Sequence, residues 1–225
     1  MFKLICLAGA VAATAGAPVE LPTSNVHTQA GQFTALHAGS AYQASAFPLA
    51  LRVAVPDGTW GGAQWKTTSH GKPAFGWVAV ARAPLDDPRG GVEIETAFGT
   101  TPSVAATMAR LRVGGSHLPQ TNVGGVTWGK VSAVELAGYS GRQFDGNVWG
   151  IYGRMFVPFT PKTRGASPPD SFRLDKGETF RIVALDVRGK TVVLCLESFG
   201  LPADQFPAFL ASAGRVLRTL RFPTS

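Results

Sequence analysis

The chain has 225 residues, 45% of them hydrophobic and 16% charged, with a formal net charge of +7. That length suits one domain with a core able to hold without disulfides or bound metal, and the composition excludes an intrinsically disordered chain. The basic residues are scattered from Arg52 to Arg221 with no run of like charge, so the clustered footprint that nucleic-acid binding requires is missing.

Met1-Phe2-Lys3 is a short positive start, and Leu4 to Ala17 is an apolar, small-residue stretch. That length fits the hydrophobic segment of a secretory signal and is too short to span a bilayer as a helix. Ala15-Gly16-Ala17 is followed by Pro18, which hinders cleavage, so the cut is expected after Ala15, behind Ala13-Thr14-Ala15. Cys6 then leaves with the signal, and Cys195, inside the strand-like run Val192 to Leu196, reads as a buried inert thiol. The expected organisation is a signal peptide at 1–15, a flexible linker at 16–45 without periodicity, and a single α+β domain at 46–225. The chain is read as secreted or extracytoplasmic, with no transmembrane span in the mature part.

Leu49, Leu51, Val53 and Val55 alternate with smaller or polar residues, which predicts a strand ended by Pro56-Asp57-Gly58. Phe75 to Ala83 and Val92 to Phe98 predict two more, joined across Pro84 to Gly91. Thr101 as N-cap and Pro102 at the first turn open a helix that Gly114-Gly115 ends. Thr121 to Leu136 alternates again, Gly138 to Gly141 turns into a strand over Arg142 to Val148, and Phe156 to Phe159 is a short edge piece. A Pro/Gly/Ser loop spans Lys162 to Asp170. Thr179 to Val187 and Thr191 to Glu197 form a compact hairpin through Arg188-Gly189. Phe206, Phe209, Leu210, Ala213, Val216, Leu217 and Leu220 then make one apolar helix face, which must lie on something apolar, the hairpin being nearest. The pattern is an α+β fold: an antiparallel β-sheet flanked by helices, without regular βαβ alternation.

Three stretches carry a family resemblance: Leu51 to Trp60, Tyr139 to Gly146, and Leu185 to Val193 with the helix after it. In order and texture the chain resembles the PsbP-like α/β/α sandwich superfamily, especially small exported actinobacterial proteins and lipoproteins of the LpqN type. The resemblance implies accessory or binding work rather than a shared reaction, and no family site residue carries over.

The chemistry-bearing residues point nowhere strongly. Ser140 lacks the elbow of a hydrolase nucleophile, and His27, His37, His70 and His117 never reach metal-ligand spacing, so no metal is expected. Gly124-Gly125 lacks the lysine of a phosphate loop, so no cofactor is expected either. Glu93 and Glu95 share a strand face, read as solvated, and Glu197 ends an apolar strand. The most suggestive feature is tryptophan beside glycine. Trp60, Trp65, Trp128 and Trp149 flank expected strand ends and can offer flat platforms, with Arg142 or Arg154 adding hydrogen bonds to a ligand. The alternative is that each Trp simply fills the core. The expectation is an exported, non-enzymatic accessory or binding domain for an envelope component, a small apolar or glycan-like ligand, or a partner protein. The alternatives are a secreted hydrolase acting on envelope material and an oligomeric partner with an apolar contact patch.

Overall fold

The computed structural model describes residues 17–24, 33–112, 125–150, 153–160 and 169–224. The expected signal peptide, His27, His117, Gly114-Gly115 and most of the Lys162–Asp170 loop lie outside the described residues.

Short strands come first: β1 (Val19–Glu20), β2 (Thr34–Ala35), β3 (Ala41–Gln43) and β4 (Arg52–Ala54). Long ones follow in β5 (Trp60–Ser69), β6 (Lys72–Arg82) and β7 (Gly91–Ala97), then α1 (Val104–Arg112). Next come β8 (Val126–Trp128), β9 (Ser132–Leu136), β10 (Tyr139–Val148), β11 (Arg154–Phe156) and β12 (Phe172–Leu174). The chain closes with β13 (Thr179–Val187), β14 (Lys190–Glu197), a 3-10 turn at Ala203–Gln205 and α2 (Phe206–Leu217).

Among the described residues a nine-stranded sheet runs β2-β5-β6-β7-β14-β13-β10-β8, with β9 also on β10. Each of its pairings is antiparallel. The fold is thus α+β as the pattern predicted, and side-chain alternation gives the sheet two different faces. On the first, Val78, Val80, Val92, Ile94, Val183, Leu185, Val192 and Leu194 meet α2 through Phe206, Phe209, Ala213, Val216 and Leu217. Each fully buried side chain of this size stabilises by about 1.5–3 kcal/mol, so α2 is held by its stripe rather than by its ends. On the second face, Trp77, Ala79, Ile182, Ala184, Val193 and Cys195 meet Met108 and Leu111 of α1 and Phe156, Phe172 and Leu174 of the β11–β12 ribbon.

The hairpin and last helix are where the periodicity put them. Arg188 (φ 56°) and Gly189 (φ 79°) make the tight left-handed turn between β13 and β14. Elsewhere the structure differs. The strand expected over 49–55 contracts to β4, while β5 and β12 were not foreseen. Ser103 rather than Thr101 caps α1: its Oγ accepts from Ala106 N–H at 3.3 Å. The Thr101 hydroxyl instead accepts from Thr191 N–H at 2.8 Å and ties the approach to α1 onto β14.

The largest correction concerns 16–45. Its described residues are not a flexible linker but part of the packed body. β1 runs parallel to β3, β3 pairs β4, and β2 extends the large sheet beside β5. Leu21, Leu36 and Tyr42 are buried against the first face. One fully buried side chain organises this. Gln64 donates through Nε2 to Leu21 O (2.8 Å) and accepts through Oε1 from Ala46 N–H (2.7 Å). Its backbone also donates to Pro22 O and accepts from Ser24 N–H, both at 2.8 Å. Small and polar composition reads as a linker only until a partner supplies these bonds.

Candidate functional site

β7 and β14 are central strands, covered by neighbours on both edges and by packed layers on both faces. Such strands are normally apolar throughout. Here the first-face positions follow that rule with Val92, Ile94, Val192, Leu194 and Leu196, but the second face carries Glu93, Glu95 and Glu197. Register places them closely. Glu93 lies opposite Cys195 on β14 and Ala79 on β6; Glu95 lies opposite Val193 and Trp77; Glu197 lies opposite Gly91 and Phe180. Glu93 is therefore the diagonal neighbour of Glu197 and the next same-face residue to Glu95, each within about 8 Å.

All three are buried, at 3%, 0% and 2% exposure. Among the described residues no donor reaches either oxygen of Glu95, nor Oε1 of Glu197. Burial pushes the Glu95 carboxyl well above the usual carboxylate range, and the charges of Asp170 and Glu93 push the same way. Glu197 is raised well up by burial, then by Glu93, Glu178 and Asp175. Burial lifts Glu178 to about 7, with its bond from Asp175 N–H (2.7 Å) opposing. Cys195, buried between Glu93 and Ile182, is driven well up by burial and by Glu197, away from the thiolate form that nucleophilic chemistry uses.

Aromatic rings surround the acids. Trp65 and Trp77 stack at 5.6 Å, and Phe172 meets Trp77 edge-on at 5.0 Å. Asp170, just ahead of β12, accepts from the backbone N–H of Phe159 and of Thr160, both at 2.6 Å, and from the Thr160 hydroxyl. That clamp fixes the chain on either side of the β11–β12 ribbon over the second face. Among the described residues no three His, Cys, Asp or Glu side chains converge to hold a metal ion. The arrangement can accept hydrogen bonds or a positive charge in buried, aromatic surroundings, where either interaction is strong.

The structure separates the tryptophans that the sequence grouped. Trp60 is 1% exposed and belongs to the first-face core, so it presents no platform. Trp65 is 5% exposed and sits on the second face against Trp77. Trp128 is half-buried and packs edge-on to Phe144 and Phe156. Trp149 stands 53% exposed just past β10, its N–H bonded to Gly125 O. Arg142 is exposed in an open groove of about 580 Å³ with the start of α1, Asp186 and Thr191. Trp65 and Trp128 thus share the second-face cluster, whereas Trp60, Trp149 and Arg142 stand apart from it. The acidic strip was visible in the sequence only as alternation. What was missing was the cover over it, because β12 and the second-face role of Phe156 have no local signature.

No family model matches the sequence, and no curated protein matches it. Solved structures do match, at low overlap. A protein from Bacteroides thetaiotaomicron matches at 10% identity and TM-score 0.34, over 78% of this chain and 46% of its own, so the chain spans about half its length. LpqN of Mycobacterium tuberculosis, described as involved in cell envelope biogenesis, matches at 16% identity and TM-score 0.33, over 85% and 91%. A cyanobacterial PsbP from Synechocystis matches at 12% identity and TM-score 0.36, over 77% and 86%. Both kinds of protein in the resemblance drawn from the sequence are present among these matches; overlaps this low say nothing about function.

Proposed function

We propose that the chain is an extracytoplasmic, non-catalytic binding domain that holds a small ligand on the second face of its sheet, among Glu93, Glu95, Glu197 and the Trp65–Trp77 pair. The observation that carries this reading is Glu95, a carboxyl at the centre of the sheet with no exposure and, among the described residues, no donor. A buried polar group without a partner costs about 1–3 kcal/mol, more when charged, and a ligand that supplies donors offsets that cost. Export is supported by the n-region and apolar stretch at 1–15.

The test is native mass spectrometry of the protein exported from a host that makes it. The expected result is an added mass lost on denaturation and lost in Glu95→Ala. A clean protein mass from several growth conditions overturns the reading. Hydrolysis of an envelope ester or glycoside by purified protein, abolished in Glu197→Gln, also overturns it in favour of the hydrolase alternative.

A further inference from the structure

Arginines far apart in the sequence meet in the fold. Arg52 on β4 and Arg221 are joined by reciprocal backbone bonds, each N–H donating to the other's carbonyl at 2.9 Å. In such an antiparallel pair the two side chains leave the same face, with Cα atoms about 5.5 Å apart. Leu51 and Val53 on either side of Arg52, and Leu220 and Phe222 on either side of Arg221, are buried in the first-face core. Alternation therefore turns both arginines outward, and both are exposed. Arg188, at the β13–β14 turn, reaches the same place: its Nη1 donates to Pro223 O at 3.1 Å. Arg218 lies one turn back, where its carbonyl accepts from Arg221 Nη1 at 2.8 Å. Four exposed arginines from three distant stretches thus gather beside the C-terminal chain.

Like charges directly opposite one another cost stability, and nothing described offsets this cost. Arg89, Arg173, Arg181 and Arg215 each meet a carboxylate. Among the described residues none of Arg52, Arg188, Arg218 and Arg221 does. The bordering acids are bonded elsewhere: Glu20 accepts from Ser45 N–H at 2.8 Å and from Gln64, and Asp186 accepts from Gly189 N–H at 2.8 Å. Three kinds of anion compete for the patch. A single small anion calls for donors that converge, and the cleft of about 280 Å³ beside Arg52 is lined by Glu20 rather than by the other arginines. A soluble polyanion or a lipid headgroup layer suits charges spread along an open surface. On the export reading above, the headgroup layer is the anionic array beside this chain.

We propose that the outer surface around Arg52 and Arg221 docks the protein peripherally on an anionic phospholipid bilayer, with Arg188 and Arg218 widening the contact. This takes only the export from the reading above and is independent of any ligand on the second face. Because β4 and the end of α2 lie on the first face, docking there turns the second face away from the bilayer.

Co-sedimentation of the purified exported protein tests it, with vesicles of phosphatidylglycerol mixed into phosphatidylcholine and with vesicles of phosphatidylcholine alone. The mixed vesicles are expected to bind about tenfold or more tightly than the neutral ones, and the binding to weaken as salt rises. The double variant Arg52→Gln, Arg221→Gln is expected to bind the mixed vesicles about thirtyfold more weakly, the usual contribution of two arginines at an anionic surface. It should melt no lower than the wild type, since the Arg52–Arg221 pairing is made by backbone and the like charges are removed. Arg173→Gln, Lys176→Gln removes the same charge from exposed positions at the ribbon over the second face, and should weaken binding by less than about threefold. The comparison of vesicles in the unaltered protein does not depend on any variant folding. Equal binding to both vesicle types, no binding to either, or an equal loss in the two double variants overturns the proposal. Binding of soluble polyphosphate without binding of vesicles overturns it in favour of a free polyanion. None of these outcomes bears on the second-face ligand, which the adduct mass reads separately.

Discussion

Gln64 shows how one side chain can turn a linker-like composition into structure. It satisfies a carbonyl and an N–H from two separate stretches, Leu21 and Ala46, at a position with no exposure. Gln64→Ala leaves both groups buried and unpaired, and we expect a loss of about 2–3 kcal/mol in urea unfolding. Hydrogen exchange should quicken at 17–24 and 41–46 more than in β13 and β14. A uniform change with no local opening would mean that Gln64 acts only as core filler. At this scale the sequence is hardest to read. Nothing near Gln64 distinguishes it from a surface glutamine, and nothing near Glu93 and Glu95 distinguishes them from a solvated pair. Both residue types are normally exposed, and only layers supplied from distant sequence bury them. Tryptophan erred in the other direction. Trp60 beside two glycines suggested a platform, but its ring is what fills the first-face core at the start of β5.

Elements with a period were legible, and elements defined by contact were not. The β13–β14 hairpin and α2 carry their own alternation, left-handed turn and apolar stripe, so burial and local pattern agree. β5 reads Trp-Gly-Gly-Ala-Gln-Trp, with too few large apolar residues to announce a strand. Its small residues exist because other chain lies on them: a Cβ at Gly62 would meet Leu36 and Leu21 side chains at 2.8 and 3.1 Å. Gly76 on β6 is tighter still. A Cβ there would sit 2.6 Å from Ala46 O and 2.9 Å from Phe47 Cα, both backbone atoms that cannot swing aside. Gly76→Ala should therefore cost about 1–3 kcal/mol by pushing the 46–48 crossing off the sheet. Gly99, with open space around its missing Cβ, is the control, and Gly99→Ala should be neutral or slightly stabilising in the same unfolding assay. Equal effects at the two sites would show that the crossing does not rest on Gly76.

At the scale of the molecule the two faces of one sheet obey different rules. The first is closed by hydrocarbon from α2 and the β3–β4 pair, and the C-terminal chain is zipped to β4 by reciprocal backbone bonds between Arg52 and Arg221 at 2.9 Å. The second is closed over an acidic strip, and that asymmetry must appear in how stability varies with pH. Burial raises Glu95, Glu197 and Glu178, the last to about 7. Each keeps its proton in the folded state at a pH where the unfolded chain, with carboxyls near 4.5, has released it. The unfolded state then binds fewer protons, so stability is fully present below about pH 4.5 and falls as pH rises through the folded-state values. Asp57, lowered chiefly by its bond from the Thr59 hydroxyl, acts in the opposite sense and only at more acidic pH, so it does not mask the trend. The urea midpoint of the wild type should fall between pH 5 and pH 8. Glu95→Gln and Glu197→Gln should each flatten that fall, gaining over the wild type at pH 8 and little at pH 5. A midpoint that climbs with pH, or a slope that neither variant changes, would mean that these carboxyls are solvated and charged in the native protein. The second face would then hold charged carboxylates stabilised where they stand, and the reason to expect a ligand there would be gone.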